Sequence, residues 1–372
     1  MYNITQVVES FKQNAKIGLF FDEVLANHSS FKIGGKAALL AEPSDAEALA
    51  FALTEIKRSG IPYFVLGGGT NVLFNDAGFD GIVVSTKKLS EIDVTKDCPI
   101  LRFDLGSDST ARSRGLSIKS GNDTEAAPVI VGRDPTILKP TVTVIAAAGA
   151  SMASLVSFAQ ENALSGLEEF AGLPGTVGGA VYMNARCFEK EISQVVQKIQ
   201  WLEWDQKARA FVQKEAAFAP SDWAYKKSPF MASSSINGRP DHNSVTVAGG
   251  VNNLIVTSVE FPLYQGCKEE ISKRAAAYIQ ARKDKGHYKA PCAGSVFKNN
   301  HAFGRPTGKI IDELGLKGKS SGRAQIAPFH GNIIINNGGA KASDVLALID
   351  LCKKEAKAKF GFDLEEEIVT VE

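Results

Sequence analysis

Twenty residues, Gly166–Ala185 (GLEEFAGLPGTVGGAVYMNA), constrain the fold of this chain more than any others. Gly166, Gly172, Gly175, Gly178 and Gly179 crowd around Pro174 and Thr176, before an apolar run that ends in Met183-Asn184-Ala185. Glycine has no Cβ, so a backbone this rich in it lets N–H groups close on a bound group from several sides. Successive amides aimed into one concavity make a nest for an anion such as phosphate. Tight turns between strands draw on the same residues, so the stretch alone leaves an anion cradle and a cluster of turns equally open.

At 372 residues the chain is too long for one ordinary core and implies two or three domains. Its 42 basic and 41 acidic side chains nearly cancel, so no basic surplus points to nucleic acid and the default partner is a small molecule. Five cysteines (Cys98, Cys187, Cys267, Cys292, Cys352) form no CxxC pair. That pattern fits a reducing cytoplasm and argues against a disulfide framework and a zinc site. The histidines are scattered without ligand spacing, and no metal is expected. The first twenty residues are amphipathic but broken by Glu9, Lys12 and Lys16, so they lack the apolar core of a signal peptide. No segment reaches the roughly 18 apolar residues of a membrane span.

Along the chain, Ser44-Asp45-Ala46-Glu47 reads as a capping box with Ser44 at the helix start. Leu49, Leu53 and Ile56 follow at helical spacing, and Gly60 is placed to end the helix. Next come an apolar strand, the glycines Gly67-Gly68-Gly69, a second strand-like run to Phe74, and a turn at Asn75–Gly78 into a strand at Gly81–Val84. A dinucleotide fingerprint or a P-loop needs its glycines to open a helix, whose N-terminus then receives phosphate. Here they lead into Val72-Leu73-Phe74, so both readings are disfavoured.

Residues 91–140 are polar and glycine-punctuated, and read as an insertion before a strand at Thr141–Ala148, tolerated rather than acting as a lid. Ser151 should cap a helix carrying Leu155, Phe158 and Ala159, with Gly166 as its terminator. Strands are expected at Val195–Trp204 and Asn253–Phe261, flanking a polar loop at Ser233–Asn243. A helix at Glu269–Lys283 should turn Ile271, Ala275, Tyr278 and Ile279 to one side. Further elements are a strand at Ser295–Phe297, a helix near Thr307–Leu314, a strand at Ile333–Asn336 and a helix at Ser343–Phe360 closed by Gly361. The fold class is α+β, without an internal repeat.

Seven segments in order resemble one family, the UDP-N-acetylenolpyruvoylglucosamine reductases. They are Asn27–Gly35 (NHSSFKIGG), Leu66–Asp76 (LGGGTNVLFND), Gly166–Ala185, Tyr225–Phe230 (YKKSPF), Ala293–Asn299 (AGSVFKN), Gly315–Gly318 (GLKG) and Phe360–Ile368 (FGFDLEEEI). Together they span nearly the whole chain. The compact stretch between Phe230 and Ser295 resembles the shorter subtype, which lacks a tyrosine-bearing loop over the substrate.

The resemblance implies an FAD enzyme of peptidoglycan precursor synthesis. Its fold would be a two-part FAD-binding domain of the vanillyl-alcohol oxidase (PCMH-type) class, followed by a C-terminal α+β substrate-binding domain. The implied divisions are 1–88, 89–264 with the polar insertion, and 265–372, whose last strand returns to the FAD region. NADPH would reduce FAD, and the hydride would pass to the enolpyruvyl group. Gly67, Gly68, Gly69, Thr70 and Asn71, with Gly175, Thr176, Gly178 and Gly179, would hold FAD. Ser295 matches the serine that protonates the substrate carbon. Glu367 matches the family glutamate, where the family usually has proline at Glu366; the assignment among Glu365, Glu366 and Glu367 rests on register alone. Lys226 and Tyr225 match a Tyr-Arg pair, and Lys298, Asn299 and His330 are candidates for the diphosphate, sugar or uridine. A cytoplasmic monomer, bound to neither membrane nor nucleic acid, is implied.

Three departures stand out. Lys226 replaces an arginine and lacks its planar fork. Ala185–Glu189 is bulkier and more charged than the family's small segment, and residues 284–291 lack a Gln-Pro approach to the serine. Two rival readings remain at this point, another FAD oxidase of the same fold and a non-catalytic flavin- or nucleotide-sugar-binding protein.

Overall fold

Helices begin the architecture because their sequence signals are the most local. The computed structural model describes residues 4–95, 142–231 and 254–372, with the backbone of a short strand at Ser244–Val245. Helices α1 (Ile4–Lys12) and α2 (Ala46–Ser59) cover one sheet. The cap of α2 is Asp45, whose carboxylate accepts from Ala48 N at 2.8 Å, and not Ser44 as the sequence suggested. Ser44 N donates to Lys16 O, so the strand pairing persists one residue longer and the turn into the helix moves to Asp45. Gly60 ends α2 in the left-handed conformation, as expected.

The sheet beneath them has the spatial order Ile17–Val24, Lys36–Pro43, Phe79–Ser85, Tyr63–Leu66. The first pair is antiparallel and the others parallel. The second sheet is antiparallel, in the order Ala210–Ala217, Lys198–Asp205, Leu254–Gln265, Val142–Ala147, Ile92–Val94. Residues 92–94 therefore belong to a sheet rather than to the polar insertion. Residues 96–141, and the loop expected at Ser233–Asn243, lie outside the described residues.

Helices α3 (Met152–Glu161), α4 (Val177–Tyr182) and α5 (Lys268–Asp284) pack on the second sheet. Ser151 caps α3 as expected, but Gly166 does not end it. The helix stops at Glu161, Ala163 takes a left-handed φ of 54°, and Leu164–Ser165 pairs with the end of Leu254–Gln265. Ile271 and Ala275 of α5 are buried, with Tyr278 and Ile279 packed against the same core.

A third, four-stranded sheet runs Cys292–Ser295, Ile333–Asn336, Ala324–Ile326, Ser320–Ser321, beside α6 (Thr307–Glu313) and α7 (Ala342–Phe360). Val345, Leu348, Ile349 and Cys352 of α7 are buried, each large apolar side chain contributing roughly 1.5–3 kcal/mol. The strand expected at Ser295–Phe297 ends at Ser295 instead. Beyond it the chain changes partner, Phe297 forming a bridge with Glu366. Val369–Val371 then runs parallel to Val72–Phe74, so the chain end is stitched to the first glycine loop. Asp76, in the turn after Val72–Phe74, accepts from Ala342 N at 2.6 Å and Ser343 N at 3.1 Å, capping α7 from outside its own sheet.

Candidate active site

Two glycine loops pack together in the wall of a cavity of about 720 Å³. The first is Gly67–Asn71, between the strands Tyr63–Leu66 and Val72–Phe74; the second runs through Gly175 to Gly179 and into α4. They approach so closely that a Cβ on Gly68 would lie 2.6 Å from Gly175 Cα, and Gly175 has a φ of 113° that excludes most side chains. Backbone therefore forms this part of the wall. The apolar run after Thr176 is helical, not a further turn, and Thr176 Oγ1 accepts from Gly179 N at its start. All nine glycine-loop positions expected to hold cofactor line this one cavity.

Three segments bring the candidate reactive groups to the same wall. Ser295, at the end of its strand and preceded by Gly294 with a φ of 75°, lines both the large cavity and a second one of about 270 Å³. Lys226 rides on a tight turn in which Ala224 N donates to Lys227 O and Lys227 N to Ala224 O. Its own φ of 53° is unusual for a residue with a side chain, a strain of order 1–3 kcal/mol of the kind found at functional sites. Lys226 Nζ meets Glu367 Oε1 at 2.5 Å. Asn71 Nδ2 donates to Glu367 O at 2.9 Å and ties the glutamate to the first glycine loop.

The three glutamates separate in space. Glu367 is buried on the large cavity, Glu366 pairs with Lys353 of α7, and Glu365 is exposed and pairs with Lys298. Asn299 and His330 line the smaller cavity with Ser295. Asn299 Oδ1 also accepts from Thr307 N at the start of α6. Tyr225 and Lys298 line neither cavity: Tyr225 packs edge-on to His301 beneath the Arg186 guanidinium, and Lys298 turns to Glu365.

Several contributors were not singled out from sequence. Asn184, fully buried at a φ of 40°, donates to Ala224 O at 2.8 Å and Glu191 Oε2 at 2.9 Å, and so holds the turn that carries Lys226. Ser228 Oγ donates to Tyr182 O on the other side of that turn. Arg282 reaches the large cavity from the last turn of α5, and its Nε is buried with no hydrogen-bond partner among the described residues. Its spacing from Tyr278, one helical turn earlier, was the available signal. His287 on the large cavity faces His330 on the small one, with ring centroids 6.2 Å apart. Burial, then Arg282, His330 and Lys285, push the His287 pKa down to about 4, so its ring is neutral near pH 7.

The large cavity falls in the size range of small-molecule sites. Its glycine cradle, cationic walls at Arg186, Lys226 and Arg282, and orphaned guanidinium nitrogen suit a large anionic cofactor. Among the described residues no group of His, Cys, Asp and Glu could hold a metal, and no helix is long and apolar enough to cross a membrane.

Residues 286–371 match the family described as UDP-N-acetylenolpyruvoylglucosamine reductase, C-terminal domain, and residues 37–104 match the FAD binding domain. The UDP-N-acetylenolpyruvoylglucosamine reductase of Treponema denticola is 40% identical, over 92% of this chain and 90% of its own length. That of Borreliella burgdorferi is 34% identical, over 93% of this chain and 92% of its own. The crystal structure of UDP-N-acetylenolpyruvylglucosamine reductase (MurB) from Thermus caldophilus superposes with a TM-score of 0.62 at 27% identity, covering 96% of this chain and 99% of that one.

Proposed function

The chain belongs to the UDP-N-acetylenolpyruvoylglucosamine reductases, and from that premise we propose that it reduces UDP-N-acetylglucosamine enolpyruvate to UDP-N-acetylmuramate in peptidoglycan synthesis. FAD, held by the two glycine loops, would supply the chemistry of hydride transfer between NADPH and the enolpyruvyl group. One observation supports the assignment above all: Lys226, Ser295 and Glu367, from segments far apart in sequence, line the cavity that both glycine loops enclose.

The chain's own groups then have distinct tasks. The glycine loops would hold FAD, their amides facing its diphosphate. Hydride arrival builds negative charge at the adjacent carbon and its carboxylate, and a fixed cation there stabilises the transition state more than the ground state. Lys226 is that cation, and Glu367 orients it. Ser295 hands its hydroxyl proton to the carbon bearing the charge and regains a proton afterwards. The smaller cavity, with Asn299 and His330, takes part of the UDP-sugar, Ser295 standing in the wall common to both.

The three divisions near residues 88 and 264 form part of the same reading, although α5, which follows the second boundary in sequence, packs back on the second sheet. A monomer in a cytoplasmic setting belongs to the same reading, the latter supported by the free cysteines among the described residues. The test is anaerobic. The flavin of the purified protein is reduced with NADPH, then mixed with the enolpyruvyl substrate. Rapid return of the oxidised spectrum is expected. A flavin that stays reduced until oxygen is admitted would favour an oxidase, and protein without flavin would overturn the assignment.

A further inference from the structure

Three consecutive glutamates face three different lysines, and only one of these lysines stands on the large cavity. Glu365 pairs with Lys298, Glu366 with Lys353 and Glu367 with Lys226. The segment is held to the Ser295 strand by an antiparallel bridge between Phe297 and Glu366. Lys298 N donates to Glu365 O at 2.8 Å and Glu367 N donates to Val296 O at 2.7 Å. These backbone bonds do not distinguish one glutamate from the next. A slip of one residue confined between Leu364 and Ile368 would re-form them with Glu366 where Glu367 now stands. Leu364 and Ile368 anchor the ends of the segment in the core. Between them Glu365 is exposed beside Lys298, Glu366 is half-buried against Lys353 and Glu367 is buried against Lys226.

We infer that Lys353, on α7, is a positioning residue: by claiming the Glu366 carboxylate behind the strand it leaves Glu367 alone to pair with Lys226. The competing carboxylate is one residue away and carries its own partner in Lys353. The inference rests on the proposed role of Glu367, and its test separates the two.

Each flavin half-reaction is followed in K353M, K353R, E366A, K353M/E366A and E367Q. In K353M, reoxidation by the enolpyruvyl substrate is expected to slow about tenfold, equivalent to about 1.4 kcal/mol, with reduction by NADPH unchanged. K353R and E366A should stay near the parent rate, and K353M/E366A should recover it, because removing Glu366 removes the competitor. A crystal structure of K353M should show the Glu366 carboxylate within hydrogen-bond distance of Lys226 Nζ. Parent-like reoxidation in K353M, or a double variant as slow as K353M, overturns the inference. So does an equal fall in both half-reactions with a lowered melting temperature, which marks a merely structural clamp. Parent-like reoxidation in E367Q overturns the underlying role of Glu367 instead.

Discussion

Lys226 Nζ lies 2.5 Å from Glu367 Oε1, with only 13% and 11% of the two side chains exposed. The pair joins a turn of the second sheet's region to the return segment at the chain end. Truncating one partner of such a pair strands the other charge, which costs about 3 kcal/mol or somewhat more. K226M is therefore expected to lower the urea midpoint clearly, and K226M/E367Q to restore much of it. A loss in the double variant equal to the sum of the two single losses would show that the pair does not couple.

Lysine offers the substrate one compact charge, whereas arginine offers two parallel N–H groups. K226R should keep the contact with Glu367 and raise the reoxidation rate severalfold. A fall in that rate, with flavin content intact, would remove Lys226 from the proposed chemistry.

Gly68 and Gly175 are packed backbone to backbone, and a Cβ on Gly68 would fall 2.6 Å from Gly175 Cα. G68A should therefore open the cradle. The expected product is a folded protein whose visible flavin absorbance per chain is much reduced. Full flavin content would show that the cradle is not where the cofactor is held.

Asp76 caps α7 from a neighbouring sheet, and D76A should cost about 1 kcal/mol, the usual loss on removing a helix cap. Burial works against the Asp76 charge, but the Ala342 and Ser343 N–H groups outweigh it and hold the carboxyl below its ordinary value of 3.8. A depressed folded pKa means stabilisation that is complete above the unfolded value and lost as pH falls through the folded one. D76A should accordingly lose less stability than the parent between pH 5 and pH 2 in urea titrations, windows about the ordinary carboxylate range. Parallel curves would place the acid sensitivity elsewhere.

His287 gives the opposite kind of group the same sign. Its pKa is pushed down to about 4 from 6.5, so in the unfolded chain it takes up a proton at a pH where the folded ring stays neutral. Stability should fall as pH drops from 6.5 towards 4, and H287F should flatten that slope. Titration of the ring followed by proton NMR checks the value directly: a midpoint near 6.5 would mean that the loop between the cavities is open to water.

The helix ends at Gly60 and Gly361, the strand Ile333–Asn336 and the buried face of α7 were legible in sequence because each depends on neighbours within a few residues. Where long-range pairing competed, local signals misled. Ser44 looked like the better cap, yet its N–H was committed to Lys16 O. Gly166 looked like a terminator, yet Ala163 had already turned the chain into a strand. The Ser295 strand was displaced because the residues after Ser295 pair with the chain end rather than with the strand Ile333–Asn336.

The sequence by itself determined the chemical inventory: two glycine loops, a serine after glycine, a lysine where arginine was expected, and three glutamates in a row. It also determined the helices, since their hydrogen bonds close within four residues. Only the tertiary structure decided that Glu367 rather than Glu365 or Glu366 meets Lys226, that Asn184 holds the turn beneath Lys226, and that Ser295 stands between two cavities. Those facts depend on register and on strand pairing across hundreds of residues. A one-residue shift in either exchanges the faces of the strand while leaving local composition and periodicity unchanged.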